Sequence, residues 1–270
     1  MRDGSDTLAR NLGLFDGIEP LRVFGHTSTS DDVNFRTLWP HPTTAVYPWQ
    51  DSAGDLEVVS GSTNDALGGS GMQLSRVDVL DGNWERFTVT IPMAGTTPVD
   101  VAALMPDEST KTVRRVMCER WALMGTQRGT NDGDITFRRS AGAVLGYIEA
   151  GKSLGRTSVI SSAIDEKLYI PKSILYIQGV RHGDIKIFFN IANNITSIPN
   201  PPGPSIPGFG ARIEGIEILD QVGTVEVGNG ISWLELPPAS DIEIMVKRSS
   251  GGGGSPTDVQ MTTSAYILKV

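Results

Sequence analysis

Ser60-Gly-Ser-Thr-Asn64-Asp65-Ala-Leu-Gly68-Gly69-Ser-Gly71 leads directly into Met72-Gln-Leu-Ser-Arg76-Val77-Asp-Val79-Leu80-Asp81-Gly82-Asn-Trp84. The chain continues Glu85-Arg-Phe-Thr-Val-Thr-Ile91 and, after Pro92-Met-Ala94, reaches Gly95-Thr96-Thr97-Pro98-Val99. A loop of small residues thus feeds a strand, an Asp81-Gly82 turn, a second strand and a Gly-Thr-Thr-Pro turn. Asp-Gly suits a tight hairpin because glycine accepts positive φ. The block contains no set of reacting groups. Its information is architectural, and it reads as all-β.

The same grammar extends outward. Trp39-Pro40-His41-Pro42 and Tyr47-Pro48-Trp49 are extended, since a residue before proline is pushed out of the helical region. Leu56–Val59 reads as a short strand, and Val113–Met124 fits a helix face almost as well as a buried strand; strand is the preferred reading. Gly129–Asp134 turns into Ile135–Arg138, and Ala143–Ile148, Lys167–Ile170, Ser173–Gln178 and Asp184–Phe189 follow as strands. Five prolines between Pro199 and Pro207 mark an extended excursion that no central strand tolerates. Strands recur near Arg212–Leu219 and Thr224–Val227. Asp241–Lys247 and Thr262–Val270 close the chain as an alternating pair across the Ser249–Pro256 glycine-rich tip.

About a dozen short strands with little helix must stack as two sheets or close into a barrel. The expected fold is an all-β sandwich of jelly-roll type. Residues 1–34 read as an N-terminal arm, or as an ordinary first strand. Residues 35–160 read as one β-sandwich domain and 161–270 as a second β sub-domain or a continuation of the same sandwich.

Composition agrees with a folded protein. A chain of 270 residues buries roughly three quarters of its unfolded surface. Its 39% hydrophobic and 20% charged content is that of a globular chain, and 31 glycines with 16 prolines suit many turns. The net charge of −8 argues against nucleic acid as a partner. No apolar run approaches the ~18 residues of a membrane span, and no apolar segment behind the N-terminal Arg2 and Asp3 reads as a secretory signal. The single Cys118 excludes an intrachain disulfide framework and fits folding in a reducing cytoplasm, with a secreted protein lacking disulfides as the alternative.

Several motifs invite chemistry. Gly146-Tyr-Ile-Glu149-Ala-Gly151-Lys152-Ser153 matches the phosphate-loop pattern G-x-x-x-x-G-K-[ST], which needs a helix behind it. The following Leu154-Gly155-Arg-Thr-Ser-Val159-Ile160 is a poor helix former, so nucleotide binding is disfavoured. Asn131-Asp132-Gly133-Asp134 fails as an EF-hand, because Arg128 and Arg139 would occupy ligand positions; a turn is preferred. His26, His41 and His182 have no metal-ligand spacing, and Cys118 has no sequence-local partner. The dispersed Trp39, Trp49, Trp84, Trp121 and Trp233 fit core and subunit contacts better than a sugar-stacking groove. No catalytic residue, cofactor or metal is expected.

The Ser60–Gly71 loop, Arg76-Val77, Leu80-Asp81 and Gly95–Val99 together resemble a family of virion structural proteins of tailed, often marine, bacteriophages. Phe24-Gly25-His26, Arg115-Val116, Gly129–Ile135, Tyr169-Ile170-Pro171-Lys172 and Ser240-Asp241-Ile242 extend the resemblance from about residue 24 to the end. Ile91-Pro-Met-Ala94 and Lys172-Ser173 depart from it, where the family has Leu-Asn and a glycine.

The resemblance implies a non-enzymatic virion protein, made in the host cytoplasm, that decorates or cements the capsid as a homo-oligomer, in the first instance a trimer. Its partners would be its own copies and other virion proteins such as the major capsid protein, with no nucleic acid and no membrane. A head or tail fibre, or a module binding a host-surface glycan, stays open, as does a carbohydrate-active β-fold enzyme. Candidate partner contacts are Pro199, Pro201, Pro202, Pro204, Pro207, Gly251, Gly254 and Pro256. Asn64, Asp65, Gly71, Asp81, Gly82, Gly95 and Gly133 form the candidate scaffold signature.

Overall fold

Alternation of apolar and polar residues sends successive side chains to opposite sheet faces, and two extended antiparallel pairings organise the C-terminal part of this chain. The computed structural model describes residues 18–29, 36–43, 46–50, 52–126, 129–140, 142–178, 185–193, 211–213, 217–218, 223–227, 234–248 and 257–270. In chain order the first strands are β1 Ile18–Thr29, β2 Arg36–Thr37, β3 Glu57–Ser60, β4 Met72–Asp81, β5 Arg86–Pro92 and β6 Val99–Asp100. Then come β7 Val113–Met124, β8 Ile135–Arg138, β9 Val144–Ile148, β10 Val159–Ser161, β11 Glu166–Gln178 and β12 Ile185–Asn193. The last are β13 Ala211–Ile213, β14 Glu217–Ile218, β15 Gly223–Val227, β16 Leu234–Leu236, β17 Ser240–Arg248 and β18 Thr257–Lys269. The one helical element among the described residues is a 3-10 turn at Ala102–Leu104. The fold is an all-β sandwich, and the ambiguous Val113–Met124 stretch is a strand.

The described residues fall into two units. One holds β1 apart from Gly25–Thr27, together with the chain from Val159 onward; the other holds Gly25–Thr27 and the described residues of Arg36–Ser158. The segment read as an arm therefore contributes a sheet strand at Ile18–Thr29, while residues 1–17 and 30–35 lie outside the described residues.

In the terminal unit the sheets run β1-β18-β11-β15 and β10-β17-β12-β13. The short β16 and β14 lie beside β11 and β12, further along the same neighbours as β15 and β13. Numbering β1, β10, β11, β12, β13, β15, β17 and β18 from one to eight gives sheets 1-8-3-6 and 2-7-4-5. Among these eight, every connection except β12 to β13 passes from one sheet to the other. That is an antiparallel strip rolled on itself, the double Greek key of a jelly roll. The second unit is an insertion in the connection from β1 to β10.

The β11–β18 register carries the longest pairing, from Glu166↔Lys269 to Gln178↔Asp258. β18 buries Val259, Met261, Thr263, Ala265 and Ile267 in strict alternation. β17 is different: Asp241 and Glu243 are as buried as Ile242, Ile244 and Val246, so this central strand is enclosed on both faces. Ser161 compensates by donating its hydroxyl to Asp241 at 2.5 Å. At the strand ends Lys269 Nζ lies 3.0 Å from Glu166 and 3.1 Å from Asp165.

The inserted unit stacks β6-β3-β8-β9 on β5-β4-β7. One core joins them: Leu56, just before β3, and Val58, Ile135, Phe137, Leu145 and Ile148 from the first sheet meet Met72, Val77, Val79, Val89, Ile91 and Val116 from the second. Phe137 is fully enclosed there. Truncating a buried phenylalanine removes its transfer free energy and leaves a cavity. Phe137→Ala is expected to cost about 3–5 kcal/mol, read as a lowered urea midpoint for the unfolding transition of this unit.

Candidate functional site

The Ser60–Gly71 loop closes on a single carboxylate. Asp65 is completely buried and accepts four hydrogen bonds. Oδ1 receives the main-chain N–H of Met72 at 2.7 Å and of Asp132 at 2.9 Å. Oδ2 receives the Ser60 hydroxyl at 2.6 Å and the Gly133 N–H at 2.8 Å. Its own carbonyl accepts from Gly95 N–H at 2.7 Å. Through its side chain Asp65 ties the end of β3, the start of β4 and the turn before β8, and through its carbonyl the turn after β5.

The surrounding glycines are there for space. A Cβ on Gly71 would collide with Asp65 Oδ1, and one on Gly133 with the Ser62 amide. Gly95 adopts φ 64, and a Cβ there would lie 2.9 Å from Thr63 Cα. Asn64 donates its amide to Asp132 Oδ2 at 3.0 Å, and the Ser62 hydroxyl reaches the same oxygen. The structure thus brings Asn64, Asp65, Gly71, Gly95 and Gly133 together at one junction. From this frame Leu67, 62% exposed, projects at the loop tip.

Asp81 and Gly82 stand elsewhere, at the β4–β5 hairpin. Asp81 Oδ1 accepts from Asn83 N–H at 2.8 Å and Glu85 N–H at 3.0 Å, while Oδ2 accepts from Thr110 N–H at 2.9 Å. The turn differs from its sequence reading in one respect. Its left-handed residue is Trp84, φ 66, and Gly82 is not among the residues of positive φ. Gly82 is required by crowding, because a Cβ would stand 2.8 Å from Thr112 Oγ1 and 2.9 Å from Thr110 Oγ1. Trp84 N–H closes the turn on the Asp81 carbonyl at 3.1 Å, and its ring packs against the guanidinium groups of Arg114 and Arg115 at 5.1 and 5.2 Å.

Arg115 also covers Trp49 at 4.9 Å, and Trp49 meets Tyr47 edge-on at 5.0 Å. Tyr47 in turn contacts Trp39, which stacks on His41 at 4.8 Å. Burial holds the His41 imidazole below its ordinary value, against the pull of Asp134. Tyr147, edge-on to His41, has its phenol pushed up by burial and by its hydrogen bond to Asp134. These aromatics are packed wall rather than open groove. Trp121 is the exception, 45% exposed on β7 beside Leu123 at 44%. Trp233 and His182 lie outside the described residues.

The phosphate-loop pattern takes another form. Gly146–Ile148 belongs to β9, and Glu149–Lys152 is a turn closed by Lys152 N–H on the Glu149 carbonyl at 3.1 Å. Leu154 then bridges to Arg120 in extended backbone, so no helix follows. Asn131 clasps this turn, donating to the carbonyls of Gly133 at 2.7 Å and Glu149 at 2.9 Å. Among the described residues no group of three or more His, Cys, Asp or Glu side chains is placed to hold a metal.

Sequence reading passed over Glu119, a buried carboxyl in β7 pushed up to about 7 chiefly by its burial. Its only sequence signal was an acid within the apolar run from Val116. The candidate contacts Pro199, Pro201, Pro202, Pro204, Pro207, Gly251, Gly254 and Pro256 all lie outside the described residues.

No family profile and no curated protein matches this chain. Among solved structures, it is similar to the crystal structure of the infectious bursal disease virus VP2 subviral particle, at 12% identity and a TM-score of 0.18 over 95% of this chain and 78% of that one. The structure of infectious bursal disease virus Gx strain gives 6% identity and a TM-score of 0.21 over the same shares. The Gt strain structure gives 9% and 0.19 over 94% and 78%. Likeness at this level carries no argument about fold or function.

Hydrogen bonds to a charged acceptor are worth about 1.5–3 kcal/mol each, and orphaning buried donors costs more. Asp65→Ala is therefore expected to destabilise the inserted unit by about 3 kcal/mol or more. Chemical denaturation checks this, with Leu67→Ala at the exposed tip expected to change stability by no more than about 0.5 kcal/mol.

Proposed function

We propose that this chain is a non-enzymatic structural protein of a tailed-bacteriophage particle, decorating or cementing the capsid as a symmetric homo-oligomer. The observation that carries the reading is the topology of the terminal unit: an eight-strand jelly roll with an entire second β unit inserted between its first and second strands. Jelly rolls serve repeatedly as viral capsid and lectin domains, so this step is an analogy of fold. The resemblance running through Ser60–Val99 narrows it to phage virion proteins. The Asp65 junction supports the same reading, because its polar groups are consumed in fixing loops and leave a rigid surface suited to assembly.

In this reading the partners are further copies of the chain, with a trimer as the first expectation, and neighbouring virion proteins such as the major capsid protein. Pro199–Pro207 and Ser249–Pro256 are the proposed contact loops. Mass spectrometry of purified particles of the source virus, followed by a cryo-electron-microscopy map, tests both place and copy number. The protein is expected at a stoichiometric, symmetry-related position on the capsid. Particles that lack it refute the proposal.

A receptor- or glycan-binding role has one observation in its favour, the exposed Trp121 beside Leu123. Glycan-array binding that disappears in Trp121→Ala would transfer the assignment to that role; an array with no binding leaves the capsid reading in place.

A further inference from the structure

Glu119 is aimed inward by an irregularity of β7. Arg76 pairs with Arg120 and Asp78 with Met117, so Val77 alone stands opposite both Cys118 and Glu119. Such a two-against-one bulge twists the strand and re-aims a side chain. Here it turns Glu119 into the protein, where the residue is 2% exposed.

Two glycines make room for it. A Cβ on Gly146 of β9 would collide with Oε1, and one on Gly155 with Oε2. Gly155 also donates its N–H to the Glu119 carbonyl at 2.7 Å, which clamps the 153–155 segment against β7. Oε1 has no hydrogen-bond partner.

The charged groups around it do not neutralise it. Asp78 on β4 contributes a second negative charge, and Arg120, the nearest cation along β7, is engaged with Asp78 at 3.5 Å. Arg114 and Arg115 lie over Trp84 and Trp49. Arg76 on β4 is exposed. Tyr147 stands on β9, Glu149 just after it and Arg156 next to Gly155; the carboxyl receives main-chain hydrogen bonds from Tyr147 and from Glu119 itself.

We propose that Glu119 is a built-in pH sensor of the inserted unit: as the neutral acid it fills the seam between β7, β9 and Gly155, and as a carboxylate it becomes an unpaired buried charge that loosens that seam. Burial, aided by Asp78, lifts this carboxyl from 4.5 to about 7. The folded state then holds more protons than the unfolded state between those two values, so stability is full below the lower one. It declines as pH rises through the higher one. Two groups of the same unit act in the opposite sense: Asp55, whose carboxyl is held below 3.8 by its hydrogen bonds to Ser140, only at lower pH, and His41, whose imidazole burial holds below 6.5, up to that value and not beyond it.

Urea unfolding of the full chain between about pH 5 and pH 8 tests the proposal. The folding equilibrium constant of the wild-type unit is expected to fall roughly a hundredfold across that window. Glu119→Gln should lose this decline, keeping only the rise toward 6.5 that His41 supplies, and be more stable than wild type at the upper end. A variant that keeps the wild-type slope, or a wild type whose stability does not fall, overturns the proposal. Hydrogen exchange on the wild type decides the matter even where the variant fails to fold. Protection factors at the Tyr147 and Gly155 amides must drop on going from the lower to the higher pH, and unchanged protection overturns it.

Discussion

A buried carboxylate with four donors fixes the inserted unit. Asp65 is reached by the end of β3, the start of β4 and the turn before β8. β3 and β8 belong to one sheet of the sandwich and β4 to the other, so the side chain is a polar rivet across the two layers. The adjoining backbone completes it: Leu67 N–H on the Met93 carbonyl at 3.1 Å and Gly125 N–H on the Gly71 carbonyl at 2.8 Å draw in the ends of β5 and β7. In a low-dielectric setting such a network is strong when complete and costly when one member is missing. That is why the small residues around it are dictated by space as well as by backbone freedom.

Glu119 receives the opposite treatment in the same unit. Asp65 lies where chain ends converge and unpaired N–H groups are plentiful. Glu119 lies mid-strand, where most N–H groups are spent on the ladder. Only its own N–H and that of Tyr147 reach the carboxyl, Oε1 has no partner, and desolvation outweighs what they offer, so the carboxyl is pushed up to about 7. Two acids at similar burial thus sit in different settings: the Asp65 side chain accepts four hydrogen bonds, whereas Oε1 of Glu119 accepts none.

The local features were open to sequence reading because they depend on neighbours in the chain. The hairpin at Asp81, the loop at Ser60–Gly71 and the failure of the Gly146–Ser153 pattern follow from turn chemistry and propensity. Features set by partners far away were hidden. Trp84 takes the left-handed position in a loop closed by Trp84 N–H on the Asp81 carbonyl, and its ring lies against two arginines from β7 that no dipeptide rule contains. The Cys118–Glu119 bulge exists only in the register of β4 against β7. Asp241 and Glu243 looked like the solvent face of an alternating strand, yet they are as buried as the apolar residues between them, so both faces of β17 are covered.

The jelly-roll order itself rests on such distant pairings, which makes the insertion instructive. A unit of more than a hundred residues between the first two strands would be ruinous if its ends lay far apart, because the strands it separates must still be brought into one fold. Its ends do not lie apart. Ser158 N–H donates to the Leu38 carbonyl at 2.9 Å, and His26 N–H to the Arg156 carbonyl at 3.1 Å. Entry and exit are stitched to each other by the unit's own backbone. Once its core of Leu56, Ile91, Phe137 and Ile148 has formed, the connection from β1 to β10 behaves as a short one. The insertion therefore lengthens the sequence without lengthening the effective loop. A second β-sandwich with its own core and its own polar rivet is accommodated without any change in the strand order of the first.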